Sequence, residues 1–172
     1  MIRIIEELAA DWRQLDERID AVTNEIDAVA KHDPGCQQLM SVPGIGPIIA
    51  SAMVAAIGNG AAFTKGRNFA AWLGLVPKQM STGDRTILGR ITKRGDPYLR
   101  TLLIHGARSV LHHAKRGKKP DRLRAWAADR ERACGHNKAA IALANKLART
   151  VWAVWTKQEN YQSFPARAGG NA

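Results

Sequence analysis

The chain has 172 residues, 45% of them apolar, enough for one folded domain with a real core. Its formal net charge of +11 and its pI near 10.3 point to a polyanionic partner, nucleic acid before membrane surface. Cys36 and Cys134 are isolated, which argues against a disulfide framework or zinc knuckle and places reduced thiols in the cytoplasm. The N-terminus turns acidic too early for a signal peptide, and no apolar run approaches a membrane span, so no membrane partner is expected.

Charge is segregated along the chain. Residues 1–34 hold nine acids against four Lys and Arg, net −5; the remainder holds 22 bases against six acids, net +16. In the acidic part, apolar residues fall at Ile5, Leu8, Trp12, Leu15, Ile19, Val22, Ile26 and Val29, at alternating spacings of three and four. That is a heptad seam on a helix of roughly 28 residues, about 42 Å long. Such a helix either folds back on the body as a core helix or pairs with a second chain or another domain. The strict 3.5-residue period favours a coiled coil, with homo-oligomerisation through residues 5–29. His32-Asp33-Pro34-Gly35 ends this arm, assigned to residues 1–33.

Residues 36–58, CQQLMSVPGIGPIIASAMVAAIG, predict a short helix over Gln37–Ser41. A tight Pro43-Gly44-Ile45-Gly46 turn follows, then a second helix opened by Pro47. Helix, hydrophobic-x-Gly-hydrophobic-Gly, helix resembles the helix-hairpin-helix DNA-binding motif. Gly44 and Gly46 would let backbone N–H groups face a phosphate beside a helix N-terminus, a contact to backbone and not to sequence. The plain alternative is a turn packed inside the core.

The body, 59–160, begins with a loop and short helix over Phe63–Leu75, with Phe69, Trp72 and Leu73 facing inward. Pro77–Gly95 has no helical period; within it Ile87–Ile91 reads as a short strand or extended loop. Asp96 and Pro97 cap and open a helix whose inward face uses Leu99, Leu102, Leu103, Ala107, Val110 and Leu111. Gly117–Pro120 breaks it. A mixed helix over Arg122–Ala133 ends at Gly135, and Asn137–Lys157 is a last long helix. The tail, 161–172, is expected to be disordered. The fold class is therefore mainly α: a coiled-coil arm, then a helical domain with a helix-hairpin-helix and a serine-bearing loop.

Leu73–Arg100 concentrates the chemistry. Lys78, Arg85, Arg90, Lys93, Arg94 and Arg100 surround one Ser81-Thr82-Gly83 turn, interrupted only by Asp84 and Asp96. The bases suit phosphate binding, and the glycines require a close backbone approach. Exposed bases on the later helices, among them Arg108, Lys115, Arg116, Lys118, Lys119, Lys138, Lys146 and Arg149, lack balancing acids and extend a nucleic-acid surface. Histidines 105, 112 and 113 have no carboxylate or Cys at ligand spacing, so no metal site is assigned. Beyond Lys65 the acids are Asp84, Asp96, Asp121, Asp129, Glu131 and Glu159, too scattered for two-metal chemistry. Ser81 remains as a candidate nucleophile, beside its commoner role as a turn residue.

In order, SVPGIGPIIASAMVAAIG, FAAWLGLVPKQMSTG and LGRITKRGDPYLRTLLIHGARSVL resemble the C-terminal transposase domain of the insertion-sequence 110 family, most closely over 37–114. The resemblance implies a DNA recombinase acting in transposition, whose serine forms a covalent link to DNA. Counting back from Gly89-Arg90-Ile91-Thr92-Lys93 places that serine at Ser81; counting forward from Pro77 leaves Thr82 as the alternative. It also implies an N-terminal acidic, Mg²⁺-dependent domain absent here, a guide RNA and oligomeric assembly. The expectation is a truncated, nucleoid-associated cytoplasmic protein. It would bind DNA through Gly44, Gly46, Lys78, Arg85, Arg90, Lys93, Arg94 and Arg100, carry no cofactor of its own, and not recombine alone. The alternative is a non-catalytic DNA-binding or oligomerisation module.

Overall fold

The structure, a computed structural model, describes residues 2–58, 60, 62–114 and 121–165. Among these are seven helices and one two-stranded ribbon. The helices are α1 (Ile2–His32), α2 (Pro34–Met40), α3 (Pro47–Ile57), α4 (Gly66–Trp72), α5 (Pro97–Ala114), α6 (Arg122–Cys134) and α7 (His136–Lys157). Strands β1 (Pro77–Thr82) and β2 (Arg85–Ile91) stand between α4 and α5. The expected break at 117–120 and the bases Lys115, Arg116, Lys118 and Lys119 lie outside the described residues.

The core is built around α7. Its stripe of Ala139, Ala140, Leu143, Ala144, Leu147, Ala148, Val151 and Val154 is buried. Alanines let neighbouring backbones come close, and α2, α4, α5 and α6 all pack on it. α5 presents the expected face, with Leu99, Leu103, Ala107, Val110 and Leu111 buried and Leu102 half-buried. Asp96 caps it, its Oδ1 accepting from the Tyr98 and Leu99 N–H groups at 2.8 and 3.0 Å. Phe69 and Leu73 are buried as expected, whereas Trp72 is 38% exposed, its ring against Phe63 and Phe69.

At 1.5 Å per residue α1 is about 46 Å long. It packs only on α2 and α3, and Ala30 is its one buried residue. Ile5, Leu8, Trp12, Leu15, Ile19, Val22 and Val29 are all more than half exposed. Ile26 is half-buried near α2 and α3, but the rest of the seam is left uncovered among the described residues, which is not the pattern of a core helix folded back on the body.

Two expectations change. The serine-bearing loop is an antiparallel ribbon, with Ser81 opposite Thr86 and Thr82 opposite Arg85. Its cause is local: β-branched and long side chains alternate across a two-residue turn at Gly83-Asp84. Gly83 takes φ +58° at the first central position, as a type II′ hairpin turn requires. The tail does not become disordered at 161, because the Tyr161 N–H donates to Ser41 Oγ at 2.8 Å and Phe164 O accepts from the Arg122 N–H at 2.9 Å. Residues 166–172 lie outside the described residues.

Candidate nucleic-acid and phosphoryl-transfer site

The ribbon packs on no helix; every residue from Pro77 to Arg90 is exposed. An isolated two-stranded ribbon is marginal in water, so its order has to come from its root. There the glycines of the basic stretch find the object they approach: their own chain. A Cβ on Gly95 would sit 1.7 Å from Trp72 O, and one on Gly74, at φ +69°, would meet the Arg94 and Gly95 nitrogens at 2.9 Å. Thr92 N–H donates to Val76 O at 2.9 Å and Lys93 N–H to Gly74 O at 3.1 Å. Arg100, half-buried, donates through Nη1 to Leu73 O and Gly95 O, both at 3.1 Å. From α7, Asn145 Nδ2 donates to Leu75 O at 3.1 Å.

The expected site residues therefore divide. Ser81, Thr82, Lys78, Arg85 and Arg90 ride the exposed ribbon; Lys93 and Arg94 are exposed at the root. Arg100 is committed to clamping the root through two carbonyls, which sets it apart from the free cations. Successive strand residues point to opposite faces, so Ser81 and Thr82 cannot both face one partner. Ser81 shares its face with Gln79 and Thr86, and Thr82 shares the other with Met80, Arg85 and Ile87. Gln79 Nε2 donates to Ser81 Oγ at 2.9 Å, leaving the serine O–H free to donate. Among the described residues, no carboxylate or imidazole bonds to either hydroxyl.

The α2–turn–α3 unit also separates its glycines. Gly44, at φ +83°, lies against α5: a Cβ there would be 2.6 Å from Gly106 O, and one on Gly106 would be 2.2 Å from Gly44 O. Gly46 is open, with no atom within 4 Å of a Cβ built on it. It precedes Pro47, which carries no N–H, at an α3 N-terminus with no side-chain cap. Among the described residues no three His, Cys, Asp or Glu side chains come together to hold a metal ion.

Sequence reasoning missed the root. Gly74, Gly95 and Asn145 are its working parts, and the only signal for them was the glycine pair flanking a non-helical, alternating stretch. The profile of the transposase IS116/IS110/IS902 family matches residues 36–122, which span α2 to the start of α6 and include the turn, the root and the ribbon. The chain belongs to that family. Named relatives agree with it. A Pseudomonas aeruginosa protein named "Probable family 20 transposase" is 44% identical over 94% of this chain and 47% of its own length. The Coxiella burnetii "Transposase for insertion sequence element IS1111A" is 41% identical over 94% of this chain and 44% of its own. A third, the Yersinia enterocolitica "Transposase for insertion sequence element IS1328", is 36% identical over 91% and 46%. The chain spans about half the length of these family members. No described helix is long and apolar enough to cross a membrane.

Proposed function

We propose that this chain is the DNA-binding, serine-bearing C-terminal half of an insertion-sequence transposase, and that its ribbon carries one part of a composite recombination site. The observation that carries the reading is the ribbon itself. It is a basic, exposed projection held at its root, with the Ser81 hydroxyl near its tip accepting from Gln79 and, among the described residues, no carboxylate or imidazole bonded to it.

In the proposed reaction Ser81 Oγ attacks a DNA phosphodiester. An Oγ–P bond forms, the P–O bond to the leaving strand breaks, the serine proton passes to a base, and the leaving oxygen is protonated. Arg90, which alternates onto the face of Ser81 through Thr86 and Leu88, neutralises that phosphate, while Arg85, on Thr82's face, and Lys78 hold neighbouring phosphates of the DNA. By the resemblance, the base, and carboxylates that would hold Mg²⁺, would come from the family's acidic domain. Residues 36–58 act as a helix-hairpin-helix, Gly46 presenting the open backbone to phosphate while Gly44 seats the turn on α5. Copies associate through the α1 seam as a coiled coil. DNA and, by the resemblance, a guide RNA are the proposed partners.

The test replaces the matching segment of the longer Coxiella relative with this chain and traps labelled element-end DNA on denaturing gels. Ser81→Ala should abolish the covalent species and Thr82→Ala should retain it. The reverse pattern would move the nucleophile to Thr82, and trapping by both variants would sink the covalent reading. The exposed α1 seam favours a second reading, an oligomerisation module that poisons a complete transposase. Deleting residues 1–33 would then remove inhibition while DNA binding persists.

A further inference from the structure

A groove of about 1350 Å³ runs along α7 and meets the ribbon only at its foot. It begins at the ribbon root, where Pro77 and Ile91 line it, and extends past Arg149 and Lys146 to Trp126 and Phe164. Lys65 and Arg67, beside the start of α4, form part of its lining. Glu159 is the single acid among the lining residues, against six Lys and Arg. None of those six is ion-paired with a carboxylate among the described residues.

Like charge gathered on one face raises the local positive potential, which draws in a polyanion. Burial, then the neighbouring Arg122, Arg149 and Arg130, hold the Lys146 ammonium below the ordinary lysine range. The ammonium nevertheless stays in place, 4.2 Å from the centre of the Trp126 ring, a cation–π contact that fixes it in the groove wall. Phe164, also on the wall, is 59% exposed. Phe164 is the one exposed aromatic side chain among the described lining residues, and a basic trough with an exposed ring is the chemistry that binds single-stranded nucleic acid: cations follow the phosphates and the ring stacks on an unpaired base.

We propose that this groove is a track for a single nucleic-acid strand, which it delivers to the foot of the ribbon that carries Ser81. The inference rests on nucleic acid being the partner; it does not require Ser81 to be the nucleophile. Lys138, Lys146, Arg149 and Lys157 fall at spacings of eight, three and eight along α7, which keeps them on one helix face. The groove's cations are thus arrayed along the strand direction.

The test measures fluorescence anisotropy of the full chain with labelled single strands of about 15 nucleotides, in DNA and RNA arms, across roughly 50 to 200 mM salt. Lys65→Glu and Arg149→Glu, both at exposed positions, should each weaken strand binding roughly tenfold and flatten its salt dependence. Phe164→Ala should weaken it by a similar factor with the salt slope unchanged, as loss of stacking requires. Arg132→Glu, an equal charge change on α6 outside the groove, should stay within about twofold. Thermal melting of each variant checks that the fold is intact. The tighter arm identifies the strand as DNA or RNA. Groove variants that bind like wild type, an Arg132→Glu loss equal to theirs, or a wild-type chain that holds neither strand would overturn the proposal. Covalent trapping with Ser81→Ala is scored separately, so either idea can fail alone.

Discussion

α1 and α7 are both long amphipathic helices, of 31 and 22 residues, and they are used in opposite ways. α7 buries eight residues, four of them alanine, and four other helices close on it. α1 buries one residue and displays a seam of Ile, Leu, Val and Trp flanked by acids. Periodicity shows that a helix has a face. Side-chain size and flanking charge show what that face is for. Small residues admit neighbouring backbones, as in a monomer core, whereas large residues at strict heptad spacing need an equally long partner.

The largest expected effect tests how tightly the body tolerates change compared with the surface. Gly95→Ala puts a methyl 1.7 Å from Trp72 O, a backbone atom that cannot move without opening the ribbon root. We expect it to cost about 4 kcal/mol or more, or to prevent folding. Gly46→Ala, with no atom within 4 Å, should stay within about 0.5 kcal/mol. Urea denaturation measures both. A Gly95→Ala midpoint equal to wild type would mean that the root is not packed as described.

The comparison of the two helices can be broken more directly. Leu147→Ala in α7 removes a fully buried side chain and should cost about 3 kcal/mol at any protein concentration. Ile19→Ala in α1, at a position 53% exposed, should leave the dilute chain's stability unchanged and weaken its self-association in sedimentation equilibrium. If Ile19→Ala destabilised the dilute chain as Leu147→Ala does, the seam would be covered from within and the contrast would disappear.

Much of this was readable before the structure, for identifiable reasons. The inward faces of α5 and α7 follow from their apolar spacing, and the starts of α3 and α5 from Pro47 and the Asp96-Pro97 pair. Charge segregation separated arm from body. The ribbon was less legible because Lys78–Arg90 alternates with no buried face: Met80, Ile87 and Leu88 remain exposed. Burial is what makes a strand pattern recognisable. Arg100 was read as a phosphate ligand because its charge is visible in sequence, while the carbonyls of Leu73 and Gly95 that engage it are not. The same limit applied to Gly44, whose contact with Gly106 joins residues 62 positions apart.

The smallest effect concerns the two cysteines, which repeat the contrast of covered and open. Cys36 is buried at the start of α2 and Cys134 is exposed at the end of α6. Burial pushes the Cys36 thiol from 9.0 up to about 11, with the hydrogen bond and negative charge of Asp33 adding to the shift. A raised pKa means that the native state holds the thiol proton more tightly than the unfolded chain does. The resulting stability is therefore complete below about pH 9, declines above it, and is gone once pH passes about 11. Cys36→Ala should lose only a small packing contribution near neutrality, about 1 kcal/mol. Its urea midpoint should then fall less than that of wild type between pH 9 and 11. At pH 8 a disulfide reagent should modify Cys134 alone in the native chain and both thiols after denaturation. Parallel alkaline curves, or two fast-reacting native thiols, would show that Cys36 is open to solvent and that the contrast between the two thiols does not hold.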